Sequence, residues 1–282
     1  MQDIRQRLIE VFRDTQAFFE DDLRLSEAVA EGVKNARFYA ADDYPDLPEK
    51  RKTPVIITVT KNKTFQAAIE RHFRHPRERI AVLNFASAVN PGGGVKSGSR
   101  AQEESLCRCS TLYPTLNQSY FWKKYYDVNR EANDPLHTDA CIWSPGVVIC
   151  KSDSGIPQRM DPEGWVTVDV ITCAAPNLRE KTGNTHNPEM AQPVHLTWEE
   201  QYTLHLQRAR HILHIAAANR VSTLILGAFG CGAFANDPGA VAAAYKEALE
   251  EYGQYFRYVE FAVYCRDHEQ ENYIAFRNAF VV

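Results

Sequence analysis

Leu83-Asn84-Phe85-Ala86-Ser87-Ala88-Val89-Asn90-Pro91-Gly92-Gly93-Gly94-Val95-Lys96-Ser97-Gly98-Ser99-Arg100-Ala101-Gln102-Glu103-Glu104 joins the end of the apolar run Ile80–Phe85 to the start of a helical pattern. The run reads as a buried strand. Three consecutive glycines leave the backbone N–H groups uncovered and permit positive φ, as a loop must when it wraps an anion closely. Ser99 and Gln102 have the spacing of a capping box, which predicts a helix from Ser99 to about residue 113 with its positive end aimed at the same space. A second strand-to-helix loop, Gly227-Ala228-Phe229-Gly230-Cys231-Gly232-Ala233-Phe234, ends at Asn236-Asp237-Pro238. There Asp237 can cap a helix and Pro238 fits its first position. Eight of the 14 glycines fall within 92–98 and 227–239. In an open α/β sheet, ligands lie beyond the carboxyl ends of the strands, so two such loops can grip a diphosphate from two sides. The first lacks the Gly-Lys-Ser/Thr of a P-loop, and neither matches a dinucleotide-binding G-x-G-x-x-G followed by an acidic residue about 20 positions later.

Outward from these loops, strand-like runs recur at 55–60, 147–150, 166–173, 224–226 and 259–264. Helical periodicity is found near 64–73, 119–129, 200–219, 238–252 and 268–280, with two further helices within 1–34. The alternation predicts a three-layer α/β/α sandwich around a mostly parallel or mixed central sheet. Residues 1–50 read as an N-terminal helical cap and 51–282 as one globular core. Polar stretches at about 152–164 and 180–197 read as surface insertions. With 282 residues, 44% hydrophobic and 24% charged, the chain can bury a sizeable core. Its net charge of −4 excludes a global basic field for nucleic acid or acidic membrane, and direct DNA binding is not expected. Seven cysteines cannot all pair. They read as reduced, which predicts a cytoplasmic protein, or a nuclear one in a eukaryote. No apolar run nears the roughly 18 residues of a membrane span, so neither anchor nor signal peptide is expected.

Glu103 and Glu104 fall in the first turn of the predicted helix. A bland role is available, since acidic side chains there favour the macrodipole by about 0.3–1 kcal/mol. Successive helical side chains diverge by about 100°, so the pair cannot flank a bond from opposite faces as in ordinary glycosidases. At most one reaches a reacting atom, and the other holds a ligand hydroxyl or orients its neighbour. A helix start lowers a carboxyl pKa, whereas a general acid needs it raised. Bound diphosphate and excluded water would supply that opposite shift.

The triple glycine followed by Gln102-Glu103-Glu104 resembles the signature of the poly(ADP-ribose) glycohydrolases. The wording from Leu83 to Gly94 is similar to the bacterial-type branch in particular. The resemblance extends to the second loop and to Ile171-Thr172-Cys173-Ala174-Ala175-Pro176-Asn177, covering most of 55–265. It implies a macrodomain-like fold with ADP-ribose in a cleft over the strand ends, and hydrolysis of ribose–ribose O-glycosidic bonds, mainly from chain ends, with release of ADP-ribose. On the same resemblance Glu104 is the catalytic acid and base and Glu103 binds ribose hydroxyls. Gly92, Gly93 and Gly94 line the ribose and diphosphate. Gly230, Cys231, Gly232 and Ala233 close over the diphosphate, and the Phe234 ring lies against the terminal ribose. Asn84, Phe85, Asn90 and Gln102 complete the expected ADP-ribose site. Animal-type enzymes have Asp-Phe-Ala-Asn where this chain has Asn84-Phe85-Ala86-Ser87, so Asn90 is the asparagine assigned to the ribose. No cofactor or metal is expected. The implied partners are poly(ADP-ribose) and poly(ADP-ribosyl)ated proteins, with a monomeric enzyme serving the DNA damage response. Removal of mono-ADP-ribose from protein side chains, or non-catalytic ADP-ribose reading, are the alternatives. An intact carboxylate pair favours hydrolysis over reading.

Other constellations carry less. His211-x-x-His214 with His205 lacks a third acidic or cysteine ligand nearby. Cys107 and Cys109 diverge on a helix. Phe121-Trp122-Lys123-Lys124-Tyr125-Tyr126 mixes aromatics and bases like a single-strand platform but fits an amphipathic helix better. Cys231 has no assignable histidine to make it a nucleophile.

Overall fold

The computed structural model describes residues 3–181 and 192–281. In chain order the elements are α1 (Ile4–Asp21), α2 (Leu23–Asn35), β1 (Arg37–Tyr39), β2 (Ile56–Thr60), α3 (Thr64–Arg74), β3 (Ile80–Phe85), α4 (Gln102–Cys109) and α5 (Leu112–Leu116). Then come α6 (Ser119–Phe121), a π-helical turn (Trp122–Tyr126), α7 (Asp127–Ala132), β4 (Cys141–Ile149) and β5 (Val166–Cys173). The chain continues through α8 (Trp198–Ala218), β6 (Thr223–Leu226), α9 (Pro238–Tyr252), β7 (Tyr258–Ala262) and α10 (Glu271–Phe280).

Among the described residues these strands make one seven-stranded sheet in the order β1-β4-β5-β3-β6-β7-β2. From β5 to β2 neighbours run parallel, whereas β4 is antiparallel to β5 and β1 to β4. The sheet is therefore mixed, as expected, and β3 is central. Its alternate side chains enter two different cores, Ala81 and Leu83 on the α8–α9 side, Ile80 and Val82 on the α3–α4–α5 side. Burial on both faces is why the run lacks polar alternation. Parallel neighbours on either side bring the carboxyl ends of β3, β5 and β6 to one rim.

The N-terminal helices are fastened to this frame. Phe12 meets Tyr113 edge-on at 5.1 Å and Phe18 meets Trp165 at 5.8 Å. Lys151, 1% exposed, places its ammonium 2.6 Å from Asp14 Oδ2, and Thr15 donates to the Arg108 carbonyl at 2.7 Å. Arg5 Nε donates to the Ser97 carbonyl, which ties α1 to the glycine-rich segment.

Several expectations need correction. The strand at 147–150 is the end of a nine-residue strand starting at Cys141, and β1 has no counterpart among the expected strands. Pro145-Gly146 sits at the slip in register between Ser144 and Val147, with Gly146 at φ +69°, and this break hides the strand's first half. The helix expected over 99–113 begins at Gln102 behind Ala101, without a side-chain cap, and stops at Cys109, after which Ser110 bridges to Ile149. The Ser99 box does not form because Gln102 is engaged elsewhere. A capping box does occur at Thr197 and Glu200, opening α8. Of the insertion at 180–197, residues 182–191 lie outside the described residues; that at 152–164 carries a Lys151–Arg159 bridge and a short 3₁₀ turn.

Arg208 on α8 is 1% exposed and donates to Asp139 Oδ1 at 2.6 Å, to the Ala174 carbonyl at 2.8 Å, and to the carbonyls of Leu136 and His137 at 3.1 and 3.2 Å. Removing one partner of a buried ion pair leaves the other charge unpaired. Arg208→Met should therefore lower unfolding free energy by about 3–5 kcal/mol, measured by chemical denaturation; a loss below 1 kcal/mol would mean that Asp139 is not held by this pair.

Candidate active site

The first loop leaves β3 at Phe85 and returns at Gln102, and the Gln102 amide closes it. Its Oε1 accepts from Phe85 N at 2.9 Å, while Nε2 donates to the Leu83 carbonyl at 2.8 Å and to Thr64 Oγ1 at 3.1 Å. The start of α4 is thereby fixed against the end of β3, with both glutamates facing the loop. Glu103 and Glu104 are 3% and 7% exposed, so a solvated role at a helix start does not apply.

Glu103 is wrapped by donors. Its Oε2 accepts from Ser87 N at 2.7 Å, and its Oε1 from Gly92 N at 3.2 Å and Asn84 Nδ2 at 3.3 Å. Burial, and then the adjacent Glu104 charge, push its pKa up to about 8 against these hydrogen bonds. Glu104 is held on one side only. Its Oε1 accepts from Gly94 N at 2.8 Å, whereas Oε2 is buried with no hydrogen-bond partner. Arg108, one turn on, is 3% exposed and contributes a neighbouring positive charge. Gly93 lies under both carboxylates at φ +54°. A Cβ there would sit 2.6 Å from Glu104 Oε1 and 3.0 Å from Glu103 Oε2. The middle glycine thus makes room for the two carboxylates.

The second loop is organised by Asn236, which sequence reading placed only as a neighbour of the cap. Its Nδ2 donates to the Pro176 carbonyl at 2.7 Å and the Gly230 carbonyl at 3.0 Å, and its Oδ1 faces His205 Nε2 at 2.8 Å. Gly230, at φ +78°, has no room for a Cβ between Ala175 and Asn236. Asp237 caps α9 through Ala240 N at 2.8 Å with Pro238 behind it, as expected.

The two loops face each other across a cleft of roughly 1640 Å³. Phe85, Asn90, Gly93, Gly94, Gln102, Glu103, Glu104, Gly230, Gly232, Ala233 and Phe234 all line it. Asn84, Gly92 and Cys231 do not; the first two stand behind Glu103 as its donors. The Cys231 thiol is pushed up by burial and points to the Phe229 carbonyl at 3.6 Å, which removes it as a nucleophile at neutral pH. Asn90 is gripped by Arg130, whose Nη2 donates to Asn90 Oδ1 at 2.7 Å and whose Nε donates to the Val89 carbonyl at 2.8 Å. The guanidinium lies over the Trp122 ring at 4.5 Å. Trp122 borders the cleft, while Phe121, Tyr125 and Tyr126 are core. The histidines considered for metal are engaged in packing: His205 with Asn236, His211 between the carbonyls of Asp139 and Asp43, and His214 with the Pro45 carbonyl. Although the chain is net negative, Lys63, Arg100, Arg130, Arg179 and Arg266 reach this cleft, which favours an anionic ligand.

Two outcomes follow from this geometry. Gly93→Ala should cut turnover at least 10-fold and lower stability by about 1 kcal/mol or more, because it adds strain at positive φ and a clash with Glu104; unchanged turnover would mean the carboxylates need no such fit. Glu103 has a folded pKa above its unfolded value, so its contribution is fully present below about pH 4.5 and is lost as pH rises through about 8. Unfolding free energy of the parent relative to Glu103→Gln should therefore fall from pH 5 to 8, with a slope approaching ~1.4 kcal/mol per pH unit. A pH-independent difference would show that Glu103 is ionised throughout.

Comparison with known proteins agrees with this architecture. The family description "microbial-type PARG, catalytic domain" matches residues 11–152. The solved poly(ADP-ribose) glycohydrolase of Thermomonospora curvata superposes with a TM-score of 0.81 at 29% identity, covering 98% of this chain and 100% of that one. The same enzyme bound to the inhibitor ADP-HPD gives 0.79 at 29% identity, again covering 98% and 100%. The poly(ADP-ribose) glycohydrolase of Deinococcus radiodurans in complex with ADP-ribose gives 0.74 at 36% identity, covering 90% and 97%. No curated protein sequence matches.

Proposed function

Because the chain belongs to the microbial-type poly(ADP-ribose) glycohydrolase family and is a glycoside hydrolase acting on poly(ADP-ribose), we propose that Glu104 is its general acid and base and that cleavage runs mainly from chain ends. The observation that carries this reading is the asymmetry of Glu104. One carboxyl oxygen is anchored on Gly94 N and the other is buried, without a partner, in a residue that lines the cleft. An anchored, desolvated carboxyl with one oxygen to spare is what proton transfer at a single atom requires.

In this mechanism the Glu104 carboxyl gives its proton to the glycosidic oxygen. The anomeric carbon–oxygen bond breaks with its electron pair leaving on that oxygen, and the departing chain is released as an alcohol. The oxocarbenium-like ribose is stabilised by the nearby diphosphate of its own ADP-ribose unit, held against the backbone of the two glycine loops. The Glu104 carboxylate then takes a proton from water as it adds to the anomeric carbon, which restores the acid and yields ADP-ribose. Burial, and then the adjacent Glu104 charge, favour the protonated form of Glu103. Glu103, ringed by donors, positions ribose hydroxyls. The partners in this reading are poly(ADP-ribose) and poly(ADP-ribosyl)ated proteins, and the enzyme acts as a monomer. Reversal of this modification in the DNA damage response, in the cytoplasm or nucleus, is the corresponding cellular role. No helix among the described residues is long and apolar enough to cross a membrane.

Glu104→Gln keeps shape and removes the transferable proton. Release of ADP-ribose from automodified polymer should fall by about 10²–10⁴-fold, while calorimetric ADP-ribose affinity, measured in excess EDTA, and thermal stability should persist. Polymer digestion at the parental rate would defeat the mechanism. Early products separated by length should be ADP-ribose, and early oligomers would contradict cleavage from chain ends.

A further inference from the structure

His137 borders the same cleft and has no part in the mechanism above. It is one of four non-glycine residues at positive φ among the described residues, at +57°. That conformation is unfavourable for a side chain with a Cβ, and it persists only where the surroundings impose it. Here they do. Arg208, fully buried, takes the His137 and Leu136 carbonyls at 3.2 and 3.1 Å, and Leu136 N donates to Asp134 Oδ1 at 2.8 Å. A buried ion pair on one side and an Asx-type turn on the other thus turn the imidazole towards Phe234, with ring centroids 6.0 Å apart.

The ring's hydrogen-bonding polarity follows from its other contact. His137 Nδ1 lies 2.8 Å from the Ala175 carbonyl, which can only accept, so Nδ1 carries the hydrogen. Desolvation, with the Arg208 charge acting in the same direction, lowers its pKa to about 4 although the Ala175 contact and Asp134 oppose this. At neutral pH the ring is uncharged, and Nε2 is an acceptor without a protein partner among the described residues. An acceptor of this kind cannot bind an ionised phosphate, which has no hydrogen to offer. It suits a hydroxyl.

We propose that His137 is a substrate-binding residue whose Nε2 accepts a hydrogen bond from a hydroxyl of the ribose lying against Phe234. The inference rests on the reading of the cleft as an ADP-ribose site with the terminal ribose at Phe234. It adds a contact that recognises the sugar, where the glycine loops recognise the diphosphate. Arg208 acts behind it as a positioning residue, holding the turn that presents the ring.

The test compares ADP-ribose with ADP, which lacks the terminal ribose, by titration calorimetry on the full chain. His137→Asn is the informative variant. Asparagine tolerates positive φ, and its Nδ2 can replace Nδ1 at the Ala175 carbonyl, so the turn and that contact are kept while the distal acceptor is removed together with the ring edge near Phe234. Its Kd for ADP-ribose should rise about 5- to 20-fold, with its Kd for ADP and its melting temperature unchanged. Should that variant fold poorly, His137→Gly, also at ease at positive φ, gives the same comparison. Unchanged ADP-ribose affinity, an equal loss for both ligands, or unfolding of both variants would overturn the proposal and leave His137 a structural residue. A parent protein that binds ADP-ribose no better than ADP would instead overturn the underlying assignment of the terminal ribose site, and this inference with it.

Discussion

The site depends on one side-chain amide. Gln102 bonds to both ends of the strand terminus, the Leu83 carbonyl and Phe85 N, and to Thr64 at the start of α3. No side chain caps α4, so this tie sets where the helix begins and which way its first turn faces. Without it the two glutamates would be ordinary first-turn acids in water. With it they are driven into the glycine loop, where backbone N–H groups from Ser87, Gly92 and Gly94 meet them. The loop has two roles at once. Its N–H groups hold the enzyme's carboxylates, and its rim faces the cleft.

Burial is what separates this arrangement from a helix start that merely suits negative charge. A helix dipole of ordinary size favours ionisation by a fraction of a kcal/mol to about 1 kcal/mol, whereas removing a carboxylate from water is a far larger effect. Glu103 shows which wins, since its pKa moves up to about 8 in spite of three donors. Both carboxyl groups then meet at the one position, Gly93, where no side chain stands between them. The second loop supplies the opposite wall through Asn236 and the buried His205, and the cationic rim draws a polyanion to a protein that is itself net negative.

What could be read in the sequence was what depends on local pattern. The strand at Ile80–Phe85, the Asp237 cap with Pro238, and the pairing of two glycine loops at one rim are all local, and the structure has them. Features that depend on distant partners were not legible. Ser99 and Gln102 have the letters of a capping box, but Gln102 bonds instead to residues 17, 19 and 38 positions away. The three-residue β1 exists only through its pairing with Cys141–Trp143. Arg208 sits in a helix expected from its periodicity alone, and nothing local marks it as the buried anchor of the His137 turn. Asn84 was read as a ligand contact because it lies in the motif, yet it is fully buried and donates to Glu103. The convergence of both glutamates on Gly93 was likewise missed, because a 100° divergence at the backbone does not prevent two flexible side chains from meeting at one uncovered position.

In the proposed mechanism Glu104 Oε2 is the atom that handles the proton. A crystal structure of this protein with ADP-ribose bound tests it most directly. The anomeric oxygen of the terminal ribose should lie within about 2.6–3.2 Å of Oε2, with Oε1 still on Gly94 N. An anomeric oxygen held by Glu103 instead, with Glu104 turned away from the sugar, would contradict it.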